Sequence, residues 1–466
     1  MPDSLGSTAR SIRLPQSKPP SRRRARAVDT ARVCAEVFAP IVAQGVIVRR
    51  PGMLKLAGRY DVARRGNALM TRLRAEYGPE PLEVNVFGRR VVLPLTAADA
   101  REVLERSPNP FTPANKEKTA ALAHFEPQAS LITRGPRRAA RRRFSEDVLE
   151  TPQAAHHLSG VFLDVIRQDI RALLANANGN TNGSTNTNTT LDWDTFHGRF
   201  LRSVRRIVLG EGAADDTALT GQLDALRADA NWAFAHRRRG GVHDRFTSRL
   251  NAHLARAEPG SLAACAANTA RADGVDPAGQ VPHWLFAYDA AAIAAYNALT
   301  LLAAHPAYAD RARNEQARRD PADPQGIAAA QELRACVLES LRLWPTTLVI
   351  LRDATHGDRL APGGAAVAVI SSFFHRDAQT LEFADRFAPE AWSNGLAEPA
   401  RGIVPFSAGP AACPGRNLVL FTVSAVLDTV LRETTELRPA GHTALDPGRP
   451  LPHTWNHTEV RLTAGR

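Results

Sequence analysis

Residues 406–415 read Phe406-Ser407-Ala408-Gly409-Pro410-Ala411-Ala412-Cys413-Pro414-Gly415, and the chain then runs into Leu418, Val419, Leu420, Phe421, Val423, Ala425, Val426 and Leu427. That second stretch is apolar almost all round, which predicts a centrally buried helix from Gly415 to about Arg432. Cys413 therefore lies just ahead of a helix start. Unpaired N–H groups and the positive end of the helix dipole there favour a thiolate that could accept a metal. Gly409 and Gly415 allow backbone conformations and a close approach that a Cβ would block, and Phe406 can shield the sulfur from water. The competing reading is a buried apolar cysteine in a loop-to-helix turn, but the FxxGxxxCxG spacing is far more specific than a lone glycine motif.

Upstream, Glu339-Ser340-Leu341-Arg342 sets an acid and a base three apart, so the two side chains meet on one face of a helix expected over 326–343 and stopped by Trp344-Pro345. Glu315/Arg318 and Glu398/Arg401 share that spacing, but only Glu339/Arg342 falls late in a long helical pattern, 74 residues before Cys413. Other helical patterns cover 62–77, 195–209, 218–236, 245–257 and 282–304. The last of these has Pro282 in its first turn, where the missing N–H costs nothing. Leu82–Val86 and Val91–Leu95 flank Gly88-Arg89-Arg90 and read as a hairpin, and Ala365–Ile370 follows the turn Pro362-Gly363-Gly364. After Gly135-Pro136, Arg137, Arg138, Arg141, Arg142 and Arg143 crowd one short helix, in the plain reading a solvated charge run.

With 466 residues, 44% of them hydrophobic, the chain can build a large core, which excludes wholesale disorder and fibrous repeats. Cys34, Cys265, Cys336 and Cys413 are far apart, so there is no CxxC pair for a zinc ribbon or a redox dithiol. The net charge of +12 is concentrated at the start: residues 1–30 hold seven basic residues against Asp3 and Asp29. These residues are expected to be a flexible basic arm, and residues 31–466 a single domain interrupted by a disordered Asn/Thr-rich loop at 176–190. The mild surplus left elsewhere suits steering of acidic partners better than gripping nucleic acid. No membrane span is expected, because Asp289 and Asn297 interrupt the best candidate, Trp284–Ala304. Ser21-Arg22-Arg23-Arg24 faintly resembles an export signal, but Glu36, Pro40 and Gln44 break the apolar run behind it, so a cytoplasmic location is expected.

Residues 406–415 resemble the haem-ligand loop of the cytochrome P450 superfamily, and the resemblance extends over roughly residues 50–466. It implies a mainly α fold with a small β-rich lobe, a triangular helical prism around a buried haem b. Cys413 would be its axial thiolate, with Phe406, Gly409 and Gly415 shaping the loop. Glu339 and Arg342 would be a fold-locking ion pair. Arg138 and Arg142, four apart, match positions whose basic residues bind haem propionates in the family, and Arg352 resembles a third propionate ligand. The distal helix reads Phe286-Ala287-Tyr288-Asp289-Ala290, with the family's acid present as a candidate proton relay and alanine where a threonine is customary. Two further positions depart from the family. Ala411 stands where a His or Arg usually meets a propionate, and Ala391 replaces an arginine expected to complete the Glu339/Arg342 network.

The implied activity is that of a bacterial-type soluble monooxygenase. It would insert one atom of O2 into an apolar small molecule held near 108–132, 286–290 and 346–350, with electrons from a separate ferredoxin and ferredoxin reductase. Peroxide-driven or redox-neutral haem-thiolate chemistry and a non-catalytic haem sensor are the alternatives.

Overall fold

A computed structural model describes residues 23–176, 189–441 and 445–465. Its axis is the helix Val281–Ala304, about 36 Å long at 1.5 Å per residue. The helices Trp193–Leu209, Gln331–Leu343 and Arg416–Glu433 pack around it, and Ser159–Asn176 lies against the last. Buried leucine, valine and phenylalanine side chains of Arg416–Glu433 fill the centre, as the apolar pattern predicts. Each fully buried one is worth roughly 1.5–3 kcal/mol.

The β structure forms a lobe beside this helical mass. One sheet runs β1 (Arg23–Arg24), β2 (Leu82–Val86), β3 (Arg89–Leu93), β7 (Ala366–Ile370), β6 (Val349–Ala354), β4 (Phe111–Thr112). A second, antiparallel sheet orders β5 (Thr189–Asp192), β9 (Arg461–Gly465) and β8 (Glu436–Pro439). The β2–β3 turn is Phe87-Gly88, with φ of 51° and 82°, and β3 starts at Arg89, earlier than the composition suggested. Two successive left-handed residues give the tight turn whose twist matches the strands.

Three expectations are corrected. Residues 23–30 of the expected arm are docked: β1 pairs with β2, and Asp29, buried at the start of helix Ala27–Val33, accepts from Tyr77 Oη (2.8 Å) and pairs with Arg26 and Arg72. Residues 1–22 lie outside the described residues, as does most of the expected loop; of that loop's end, Thr189 and Thr190 belong to β5. The helix expected over 326–343 is two, Pro324–Ala328 and Gln331–Leu343. Asp323 caps the first, and the Glu315 carboxylate accepts the Gln331 and Glu332 N–H groups that open the second. The helix expected to reach 236 stops at Ala230, and the amide of the following Asn231 bonds Ile47 N and Val48 O.

Among the described residues one helix, 277–304, is long and apolar enough to cross a membrane, with 72% of its most apolar window buried in the fold.

Candidate haem-thiolate site

Glu339 and Arg342 are fully buried, which removes the reading of an exposed helix pair. Arg342 Nε and Nη2 meet the two carboxylate oxygens at 2.8 and 2.6 Å, and its remaining donors reach the carbonyls of His375, Phe383, Ala384 and Arg386. Glu339 also accepts from Ala388 N (2.8 Å) and Trp392 Nε1 (2.9 Å). The network that Ala391 seemed to leave incomplete is therefore closed by the neighbouring tryptophan. This lock ties the helix before the cysteine loop to the meander 375–392.

The loop itself is held by backbone bonds: Cys413 N donates to Phe406 O and Ala412 N to Gly409 O, both at 2.9 Å. Gly409 has φ +66°, and a Cβ there would sit 2.3 Å from Leu104 O, so only glycine lets the loop lie against the end of helix Ala97–Glu105. Gly415 is different. Its φ of −87° suits any residue, and a Cβ would have Leu149 no nearer than 3.9 Å, so no protein atom demands glycine. Phe406 packs half-buried against the main core. Burial pushes the Cys413 thiol up, against the opposing pull of the Gly415 N–H and the charges of Arg142 and Arg416. The sequence reading had weighed the helix terminus alone; desolvation outweighs it here, so deprotonation falls to the charge of a bound metal.

Beside the loop, Arg138 is buried, its Nε has no hydrogen-bond partner, and no carboxylate lies within ion-pair reach among the described residues. Arg352, 2% exposed, donates to Ser107 Oγ (2.9 Å), Leu351 O (3.0 Å) and Ser407 Oγ (3.3 Å), again meeting no carboxylate. Burial, reinforced by Arg138, lowers Arg352 to about 10. Lys118 Nζ shares the same Leu351 carbonyl at 3.0 Å, and burial and Arg352 hold it well below an ordinary lysine. The nearby acids Glu117 and Asp353 are taken by Arg89. Two buried arginines and a half-buried lysine thus converge with no anion in contact, an arrangement that is costly unless a bound group supplies negative charge. Sequence reasoning missed Lys118, whose only signal was being one of four lysines in a chain that otherwise uses arginine.

Arg142 stands elsewhere than its motif suggests. Its Nη1 donates to Ala412 O (2.7 Å) and its Nε to Glu146 (2.6 Å), so it braces the cysteine loop.

Distally, Phe286, Asp289 and Ala290 line a cavity together with 346–349, as expected, but its other wall is 41–49 and not 108–132. Asp289 is an ion held on both oxygens, by His197 Nε2 at 2.8 Å and Arg227 Nη2 at 2.6 Å. Burial opposes its charge, yet these partners hold it well below the usual carboxylate range. A relay through Asp289 would have to open one of these two bonds. Neither partner was legible in the sequence, since both lie more than 60 residues away on other helices.

His156, His157 and Cys265 also gather within 4.8 Å of one another. Both ring nitrogens of His156 are engaged, by Val148 O and Leu158 N, and His157 Nδ1 meets Glu150 at 2.5 Å. That group is satisfied without a metal.

A mainly helical body with a side lobe, a cysteine loop feeding a buried helix, and cations without carboxylate partners beside that loop match what the resemblance to haem-thiolate proteins implies. A family model for cytochrome P450 matches residues 283–439. Cytochrome P450 714C3 of Oryza sativa subsp. japonica is 30% identical over 184 residues, 35% of this chain and 36% of that protein. Cytochrome P450 4c3 of Drosophila melanogaster is 29% identical over 150 residues, 29% and 28% of the two chains. The matched stretch thus spans about a third of these relatives' length. The structure of retinoic acid bound cyanobacterial CYP120A1 superposes with a TM-score of 0.66, covering 84% of this chain and 92% of that one at 16% identity, which establishes the shared fold. Residues 283–439 are thus similar to the cytochrome P450 family, and the chain shares the fold of a cytochrome P450 structure. That similarity implies haem b with an axial cysteine thiolate, and the uncompensated Arg138 and Arg352 fit the two propionates of such a group.

Proposed function

We propose that this chain is a cytoplasmic haem-thiolate monooxygenase that inserts one oxygen atom of O2 into an apolar small molecule, with the chain from residue 23 onward acting as one haem domain. The observation that carries the reading is the loop holding Cys413 beside two buried arginines, Arg138 and Arg352, and the half-buried Lys118, none of which meets an anion. Cys413 ligates the iron; Arg138, Arg352 and Lys118 bind the propionates, Lys118 making good the missing donor at Ala411. Thiolate-ligated haem supplies the activation of O2. Phe406 keeps water from the sulfur, Gly409 seats the loop, and Arg142 fixes Ala412 so that the sulfur keeps its position. Arg134, Arg137, Arg143 and Arg416 are exposed around the same loop and suit an acidic ferredoxin, itself reduced by a ferredoxin reductase. The distal wall favours an apolar ligand. The neighbour of known structure binds retinoic acid, an apolar molecule of that kind.

Ala290 offers no hydroxyl beside Asp289, so proton delivery falls to Asp289 with water or to an oxygen on the substrate. This favours an oxygen-bearing substrate, with peroxide-driven chemistry as the second reading. Reconstitution with a ferredoxin and its reductase under labelled O2 decides: one labelled oxygen per product supports the monooxygenase, and turnover with peroxide alone supports the second.

A further inference from the structure

Arg49 stands where two cavities meet on the distal side. One reaches Phe286, Asp289 and Ala290; the other is walled by Leu54, Asn297 and Trp455; both include Ile41, Ile293 and Leu348. The guanidinium is fixed in this wall by Nη1 to Gly45 O (2.7 Å) and Nη2 to Thr346 O (2.6 Å), which uses two of its five N–H donors. Among the described residues no carboxylate comes within ion-pair reach of it. Asp289 is the acid that most affects it, and that acid is already bound by His197 and Arg227. Burial lowers Arg49 only to about 10, so it is a cation at neutral pH.

The same walls hold other unmet polar groups. Asn297 is 2% exposed and its Oδ1 has no partner, and Trp455 Nε1 is buried without an acceptor. His457, close enough to feel the charge of Arg49, is kept neutral by burial, with its pKa lowered to about 3. A single cation with free N–H donors, an indole N–H and an amide, set among isoleucine and leucine, matches one planar monoanion on an apolar body. A phosphate, with greater charge, would call for a second cation that this wall lacks.

We propose that Arg49 anchors a carboxylate, and that the substrate class is an apolar monocarboxylic acid whose hydrocarbon runs past Ile293 and Leu348 towards Ala290. This rests on the monooxygenase reading and names the substrate class for that same site.

Equilibrium dialysis of labelled dodecanoic acid and methyl dodecanoate against the haem-loaded full chain tests it without turnover. The acid should bind at least tenfold tighter than the ester. Arg49→Gln should bring the two within about threefold by weakening only the acid, and Arg49→Lys should restore part of the preference. Equal binding of acid and ester to the unaltered chain would overturn the proposal, as would equal weakening of both by Arg49→Gln. Since the first comparison uses no variant, misfolding of Arg49→Gln leaves it decisive. A missing carbon monoxide band in the same sample, with the acid preference intact, would overturn the monooxygenase reading and leave the carboxylate site standing.

Discussion

Cys413 is the one cysteine of four that sits in a loop closed by its own N–H and pressed against another helix through Gly409. Cys413→Ser should therefore abolish the red-displaced carbon monoxide band of the reduced protein, while Cys265→Ser and Cys336→Ser keep it. Retention of the band by the Cys413 variant would refute the assignment. Arg138 gives a prediction with two opposite signs. Its guanidinium is buried and unpaired in the protein alone, so Arg138→Met should stabilise the haem-free chain by about 1–3 kcal/mol. The same change removes a charge-assisted contact to a propionate worth roughly 1.5–3 kcal/mol, so haem should dissociate about ten times faster or more. Chemical denaturation of the haem-free form and haem transfer to an acceptor protein measure the two effects. If both move in the same direction, Arg138 has some other role.

The helix Gln331–Leu343 is locked to the meander by the Glu339/Arg342 pair, and removing either partner strands a charge in a fully buried site. Arg342→Ala should cost about 3–5 kcal/mol. Trp392→Phe, which takes one donor from Glu339 but leaves the guanidinium in place, should cost about 1–3 kcal/mol. Urea unfolding followed by far-UV circular dichroism would rank the two, and a larger loss for Trp392→Phe would contradict the geometry. The pair was legible in the sequence because helical spacing brings i and i+3 together. Its closure by Trp392 was not, since that contact spans 53 residues that include two strands of the sheet. For the same reason the Cys413 loop, the 62–77 helix and the apolar 281–304 helix could be read locally, whereas the fate of Arg142 could not. Its motif fixes its place on the helix, and only the tertiary arrangement turns it to Ala412. Lys118 and Arg49 escaped notice because an isolated basic residue in a sequence looks like surface, and only packing shows it enclosed.

Acid should loosen the fold through histidines that burial keeps neutral. Burial, aided by Arg342, lowers His375 to about 3, and burial with Arg49 does the same to His457. Both pKa values lie below the unfolded value of about 6.5, so the stability these residues lend is complete above that pH and is lost as pH falls towards 3. Between those limits each costs about 1.4 kcal/mol per pH unit, together about 3. Unfolding free energies at pH 7.5, 6 and 5 should fall towards acid, and His375→Gln, though less stable at pH 7.5, should lose about 1.4 kcal/mol less per pH unit below 6.5. A flat profile would mean that these rings are protonated in the fold. The chain's first described residues belong to that fold: Asp29→Asn, which loosens the ties to Arg26, Arg72 and Tyr77, should lower the melting temperature. The cations gathered beside the cysteine loop have a further consequence, for the supply of the protein in a cell. Each one raises the share of newly made chains that stay open to proteases until haem arrives. The steady-state amount of this protein should therefore track haem availability at constant message level, so that the pocket acts as a checkpoint on its own accumulation.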